Sequence, residues 1–297
     1  MPMEKQSLFS KWKARWLFVL VLLEVSLFVV CLDSSSGATA ALEAASTQRP
    51  SNDSAHYHTE AVTTYVYLPL VFYTDACRVS TGESYGSLAI PNWVSPTLPA
   101  ETHPDLNLAV RGYTITQASL ELVDLGGDTD PSAPQLSSVF VPPRAPNIKA
   151  AYQVYGWDWV CNCRTGPLSP PDDPEVTLVD LAATSDELVR VPDRSGGDIG
   201  EGYKALVLYA DPDRITLKYT SDDNVVYGYT IHVENVCVDA TLLALYQQLN
   251  DAGRHSLPAL TAGQAFGRAH AERVGVAIRD TGTFLDPRSR KDWWRGY

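Results

Sequence analysis

Two residues in the last third of the chain, His232 and Asp198, have side chains suited to hydrolytic chemistry. His232 lies in the alternating run Tyr229-Thr230-Ile231-His232-Val233, and Asp198 follows two glycines. A histidine and a carboxylate can transfer protons or hold a metal ion when they converge in one pocket. A single histidine on a strand is more often structural, so both interpretations stay open for this pair.

The sequence contains no other clear nucleophile. Its cysteines are assigned to disulfides, and the adjacent acids Asp222 and Asp223 lie in a predicted turn. Those acids could serve glycoside hydrolysis only with a second carboxylate across a cleft. We therefore assign no catalytic residue beyond the candidates His232 and Asp198, and we predict no cofactor and no metal site.

Aromatic residues provide candidate binding surfaces in two places. A strand over residues 152–160 would place Tyr155, Trp157 and Trp159 on one face, where the rings could stack on sugars or fill the core. Near the C-terminus, Trp293 and Trp294 lie among four cations. The two indoles could bind an acidic glycan or a membrane surface, or they could cover a sheet edge.

Four cysteines follow the first 40 residues: Cys77, Cys161, Cys163 and Cys237. An even number in an exported chain favours disulfides over a zinc site. With one residue between them, Cys161 and Cys163 are not expected to pair with each other. We expect them to pair separately with Cys77 and Cys237.

The net charge excludes one class of partner, and the N-terminal segment predicts where the protein is located. The 297 residues carry a formal net charge of -12, so nucleic-acid binding is not expected. Four cations precede an apolar run over residues 16–32, which predicts a signal peptide or a membrane anchor in residues 1–40. The protein is expected to be extracellular or at the cell surface, contacting a membrane only through this segment if it is uncleaved.

The remaining sequence predicts a mostly β protein with one short helix. Residues 41–62 have the composition of a linker, residues 63–192 form a proline-rich β region, and residues 193–297 form a C-terminal β-sheet domain. The predicted strands include residues 108–113, 203–209, 214–220 and 225–233. The predicted helix begins at the N-cap Asp239 and ends at Gly253.

Four motifs in the C-terminal domain occur in an order that resembles the lysostaphin/LytM-type zinc endopeptidases. The motifs are Gly196-Gly197-Asp198-Ile199, the hairpin over residues 215–236, the turn Leu260-Thr261-Ala262-Gly263-Gln264-Ala265-Phe266-Gly267-Arg268, and the ending Gly282-Thr283-Phe284-Leu285-Asp286-Pro287. The resemblance covers about the last third of the chain. It implies the duplicated hybrid-motif β fold of that family, with the helix as an insertion.

The resemblance also implies that the zinc site is lost. In that family, an H-x-x-x-D segment and an H-x-H strand bind zinc, and here Arg194, Arg273 and Gly275 occupy the three histidine positions. Of the family's zinc ligands in these two motifs, only Asp198 remains. We expect it to form an ion pair with Arg194. The histidine of the family's Y-A-H-L strand corresponds to His232, or to Gln248 in another register.

These observations favour an exported, non-catalytic binding or regulatory protein. Its expected partner is a cell-wall glycan, a peptide or an extracellular protein. Two alternatives stay open, an active cell-wall hydrolase with unassigned catalytic residues and a structural surface protein.

Overall fold

The computed structural model describes residues 77–297. The expected leader, the linker over residues 41–62 and the first part of the proline-rich region lie outside the described residues. The described part is mostly β, as the sequence predicts. Its strands are β1 (Gly86–Ala89), β2 (Tyr113–Ile115), β3 (Ile148–Asp158), β4 (Cys163–Pro167), β5 (Leu178–Ala182), β6 (Leu188–Arg190), β7 (Ala205–Asp211), β8 (Arg214–Lys218), β9 (Tyr229–Glu234), β10 (Val236–Val238), β11 (Ser256–Leu260), β12 (Ala265–Ala269), β13 (Arg273–Asp280) and β14 (Thr283–Leu285).

Three α-helices accompany these strands: α1 (Leu108–Arg111), α2 (Ala240–Asp251) and α3 (Arg290–Trp293). Helix α2 is the predicted helix, and the Asp239 side chain caps it by accepting a hydrogen bond from the backbone N–H of Thr241. Helix α1 replaces most of a predicted strand, because Asn107 caps Ala109 N and Gly112 ends the turn with a φ of 69°.

The strands form one large antiparallel sheet and one small one. The large sheet has the order β1-β11-β7-β8-β9-β13-β5-β3-β2, with β14 beside β13 and β4 beside β3, whereas β10-β12-β6 form the small sheet. Strand β13 lies between β9 and β5, so both halves of the chain contribute to one sheet. The boundary expected between residues 192 and 193 therefore does not separate two domains, and residues 77–297 belong to one compact unit.

The central strands β8, β9 and β13 alternate between apolar and polar side chains, so the sheet has two different faces. The apolar face packs into the main core, to which Ile215, Ile231 and Val276 belong. The opposite face is polar and is also buried. Its members include Thr216, Lys218, Thr230, His232, Glu234 and Arg279.

Residues 103–111 cover the polar face. Thr216 Oγ1 donates a hydrogen bond to the carbonyl oxygen of Leu106 over 2.6 Å, and Arg279 Nη1 contacts Asp105 Oδ1 at 2.9 Å. Asp105 also pairs with Arg111 at 2.6 Å. A segment from the first half of the chain thus supplies the hydrogen-bond partners for a sheet built largely by the second half.

Both disulfides join cysteines other than the expected pairs. Cys77 pairs with Cys237 over 160 residues, and Cys161 pairs with Cys163 at a Cα–Cα distance of 5.3 Å. The expected pairing was wrong because Asn162 adopts a left-handed conformation with a φ of 51° at the tip of the β3–β4 hairpin. Asparagine tolerates that conformation, so the two neighbouring side chains can meet.

Candidate binding site

His232, the histidine singled out by the sequence, is a core residue with 0% exposure. Its Nδ1 lies 3.0 Å from Thr216 Oγ1, whose single hydrogen is donated to Leu106, so Nδ1 carries the imidazole proton. Nε2 is buried and has no hydrogen-bond partner among the described residues. Burial lowers the pKa of His232 to about 3 and Arg279 adds to this effect, so the ring is neutral and closed to solvent.

Asp198, the second catalytic candidate, stabilises a turn on the surface. Its Oδ1 accepts hydrogen bonds from the backbone N–H groups of Gly200 and Gly202, at 2.7 and 3.3 Å. The ion pair expected with Arg194 is not among the contacts of residues 77–297. Arg194 donates instead to the carbonyl oxygens of Ser132 and Tyr219. No contact between described residues brings Asp198 and His232 together.

Gly275, at one of the family's histidine positions, has two carboxyl side chains beside it. A Cβ at this residue would lie 3.1 Å from Glu234 Cβ and 3.3 Å from Asp180 Oδ1. Burial raises the pKa of Glu234 to about 7 and also raises the pKa of Asp180. Burial thus favours the protonated form of both carboxyl groups, and neither is open to solvent, at 4% and 3% exposure.

Arg273, at the other H-x-H position, is exposed and lies with Nη1 3.4 Å from Asp180 Oδ2. Tyr152 donates its hydroxyl hydrogen to the same carboxylate oxygen over 2.9 Å. An arginine and a tyrosine therefore hold the carboxylate of Asp180, which faces Gly275. Neither Arg273 nor Gly275 offers a zinc ligand.

One group of potential metal ligands occurs among the described residues: Cys77, Cys237 and His270, whose ligand atoms lie within 4.8 Å of one another. Both sulfur atoms belong to a disulfide. Cysteine binds zinc as a thiolate, so the two disulfide sulfur atoms are not zinc ligands and this group forms no zinc site while the disulfide is intact.

The terminal indoles lie in the core. Trp293 and Trp294 are each 2% exposed, and their Nε1 atoms donate over 2.8 Å to the carbonyl oxygens of Asp286 and Pro287. Arg288 is buried as well and pairs with Asp286 at 2.7 Å. This part of the chain packs into the core, and neither indole ring has a solvent-exposed face that could contact a ligand.

The aromatic residues of the β3–β4 hairpin are more accessible. Tyr155 and Trp157 are half-buried, whereas Trp159, just past the end of β3, is 53% exposed. The rings of Trp157 and Trp159 meet edge to face with centroids 6.5 Å apart, and Trp157 Nε1 donates to Asn162 Oδ1. Trp159 is thus the ring of this group that is best placed for a ligand.

Trp159 lines a pocket of about 300 Å³. Three other segments complete the pocket. They are residues 94–97 in the loop after β1, residues 103–106 of the segment that covers the polar face, and residues 223–226 in the loop between β8 and β9. The lining residues are Val94, Ser95, Pro96, Thr97, His103, Asp105, Leu106, Trp159, Asp223, Asn224, Val225 and Val226.

Buried arginines hold the two acidic side chains of this pocket, Asp105 and Asp223. Asp105 contacts Arg111 and Arg279, and although burial raises the pKa of this carboxyl, the two cations outweigh burial and lower it overall. Asp223 accepts two hydrogen bonds from the buried Arg254, at 2.8 and 2.6 Å. Both acids are therefore fixed hydrogen-bond acceptors rather than mobile surface charges.

His103 adds a donor to the same pocket. The backbone N–H of Asp105 donates to His103 Nδ1 over 3.1 Å, so the proton of the neutral ring is on Nε2. Burial lowers the pKa of His103, with Asp105 acting in the opposite direction, and this keeps the ring neutral. The edge of the His103 ring also meets Trp159, with centroids 5.7 Å apart.

The sequence indicated Trp159 as a binding residue but did not identify the polar residues of the pocket. Asp223 was expected to be a solvated turn residue, because its partner Arg254 follows it by 31 positions and on another element. His103 and Asp105 lie in a proline-rich segment without periodicity. No local sequence signal could have identified them.

No family model, curated protein or solved structure matches this chain. Within residues 77–297, no helix is long and apolar enough to cross a membrane. The pocket beside Trp159 and the residues that line it are therefore the features that bear on function.

Proposed function

We propose that this chain is an exported, non-catalytic binding protein that recognises a cell-wall glycan through the pocket beside Trp159. The observation that carries the proposal is an exposed indole in a pocket that also contains fixed carboxylates and a neutral imidazole. Pockets that bind small molecules combine apolar or aromatic walls with a few placed polar groups, and this pocket has that composition.

The chemistry of the lining suits a sugar ring. The face of an indole is a flat apolar surface, against which the C–H face of a sugar can pack. Asp105 and Asp223 can accept hydrogen bonds from hydroxyl groups, and the protonated nitrogen of His103 can donate one. Arg111 and Arg254, the partners of these acids, are already paired, which favours a neutral ligand over an anion.

A binding role is also consistent with the resemblance to the lysostaphin/LytM family. Arg194 and Arg273 carry permanent positive charge, and Gly275 has no side chain. Residues of these types at the three histidine positions of the family would not hold a catalytic zinc ion. The proposed protein keeps the scaffold of that family and uses a different surface.

The proposal is tested by titrating the purified full-length protein into a suspension of purified, insoluble peptidoglycan and measuring the unbound fraction. We expect Trp159→Ala to weaken binding by about 30-fold, or about 2 kcal/mol, as is typical when a central aromatic contact is truncated. Tyr297→Ala is the matched control, because it removes another exposed aromatic ring that is 40% exposed and distant in sequence from the pocket.

Equal binding of the two variants would contradict the assignment of the pocket. Binding to stem-peptide fragments but not to a panel of glycans would identify a peptide as the ligand instead. A wild-type protein that binds neither would contradict the proposed function as a whole.

A further inference from the structure

A second pocket of about 320 Å³ adjoins the pocket beside Trp159. Ser95 and Pro96 line both pockets, so the loop that follows β1 forms their common wall. The second pocket also contains Trp93 and Glu101. Two cavities of similar size therefore lie side by side and share one loop.

A buried ion pair connects the same two pockets. Asp223 lines the first pocket and Arg254 lines the second, and their side chains are joined at 2.6 Å. Both side chains are almost fully buried, at 9% and 4% exposure. The two pockets thus share the loop and are joined by one buried ion pair.

The second pocket repeats the chemistry of the first. The Trp93 ring packs on the His255 ring with centroids 4.0 Å apart, and Glu101 supplies an exposed carboxylate. Trp93 Nε1 is buried without a hydrogen-bond acceptor in the described part of the chain. An unpaired buried donor is costly, and a ligand acceptor that reached it would offset that cost.

We propose that the two pockets are neighbouring subsites of one groove that binds a linear oligosaccharide of at least two sugar units. This inference rests on the function proposed above. Each pocket lies at the lower limit of the range of small-molecule sites, about 300 to 1,000 Å³, and is suited to a single sugar ring. A linear polymer presents similar rings at regular intervals, which matches two adjacent pockets that each combine an indole and a carboxylate.

The test is isothermal titration of the purified full-length protein with N-acetylglucosamine and its linear oligomers of two, three and four units. We expect the affinity to increase by about tenfold or more between the single sugar and the oligomers, since the second subsite adds contacts. Glu101→Ala should weaken binding of the oligomers more than binding of the single sugar, so that the gain in affinity with length decreases. Trp159→Ala should weaken binding at every length.

Glu121→Ala is the control, because Glu121 is also an exposed glutamate outside the lining of both pockets. Affinity that is the same for all lengths would overturn the two-subsite groove and leave the single-site function intact. The same would follow if Glu101→Ala kept the full length dependence. Absence of binding at every length would overturn the glycan function itself.

Discussion

His232 and Glu234 point to the same buried face of β9, and burial moves their pKa values in opposite directions. The pKa of His232 falls to about 3, whereas burial raises that of Glu234 to about 7 although Arg214, 3.2 Å away, acts in the opposite direction. Both groups are therefore kept neutral over part of the pH range by the loss of hydration. The covered face tolerates polar side chains because most of them are neutral or paired.

Glu234 predicts that stability decreases from mildly acidic to mildly alkaline pH. Its pKa in the folded protein lies above the ordinary value of 4.5, so the unfolded chain releases this proton first. The stability contributed by Glu234 is therefore fully present below about pH 4.5 and is lost as pH rises through about 7. We expect Glu234→Gln to remove about 2–3 kcal/mol of the decrease in unfolding free energy between pH 5 and pH 8.

The measurement is urea denaturation of both proteins at several pH values. Glu121→Gln, at an exposed position, is the control and should follow the wild type. His232 acts in the opposite sense, since its depressed pKa removes stability as pH falls from about 6.5 toward about 3. Parallel pH profiles for Glu234→Gln and the wild type would show that Glu234 is not neutral in the folded protein.

The sequence predicted the strand that carries His232 but not the surroundings of its side chain. Period-2 alternation is local and identifies the polar face of β9. Whether that face meets solvent depends on Leu106, which lies 110 residues before its hydrogen-bond partner Thr216. The catalytic and structural interpretations of His232 could not be separated without that long-range contact.

At the scale of elements, the β3–β4 hairpin shows where local sequence signals are sufficient and where they fail. The alternating aromatics predicted a strand over residues 152–160, and β3 covers most of it. The Cys161–Cys163 disulfide was missed because it depends on the left-handed conformation of one asparagine. Helix α1 was missed for a similar reason, because a single cap at Asn107 decides its start.

The two disulfides should differ in their effect on stability. In the loop-entropy model, a crosslink over 160 residues stabilises the fold by about 5 kcal/mol, whereas one over two residues contributes about 1–2 kcal/mol. We expect the Cys77→Ser/Cys237→Ser double variant to lose several kcal/mol in guanidinium denaturation. The matched Cys161→Ser/Cys163→Ser variant should lose much less.

The hairpin disulfide should nevertheless affect the binding site. It holds the tip that carries Trp157 and Trp159, so its loss should increase hydrogen exchange in β4 and weaken peptidoglycan binding. If removing it destabilised the protein as much as removing the Cys77–Cys237 bond, the loop-entropy argument would not hold for this fold.

At the scale of the whole molecule, the C-terminal region depends on the rest of the described chain. Strand β13 pairs with β5, and β11 pairs with β1, so a fragment beginning at residue 193 would expose both inner strands as new edges. The same fragment would lack residues 103–111, which cover the polar face and pair with Arg279. The order of the motifs in the last third of the chain suggested a separate domain. It gave no sign that β13 and β11 pair with strands from the first half of the chain.

We therefore expect residues 193–297 alone not to fold, whereas residues 77–297 should unfold in a single cooperative transition. The fragment would bury too little of its apolar surface and would leave Arg279 without Asp105 and Thr216 without the carbonyl oxygen of Leu106. Thermal denaturation followed by circular dichroism, together with amide proton dispersion in NMR spectra, distinguishes the two cases. A sharp transition and dispersed amide signals from residues 193–297 would mean that this region is an independent domain, and that β1, β3 and β5 were added to a sheet already complete without them.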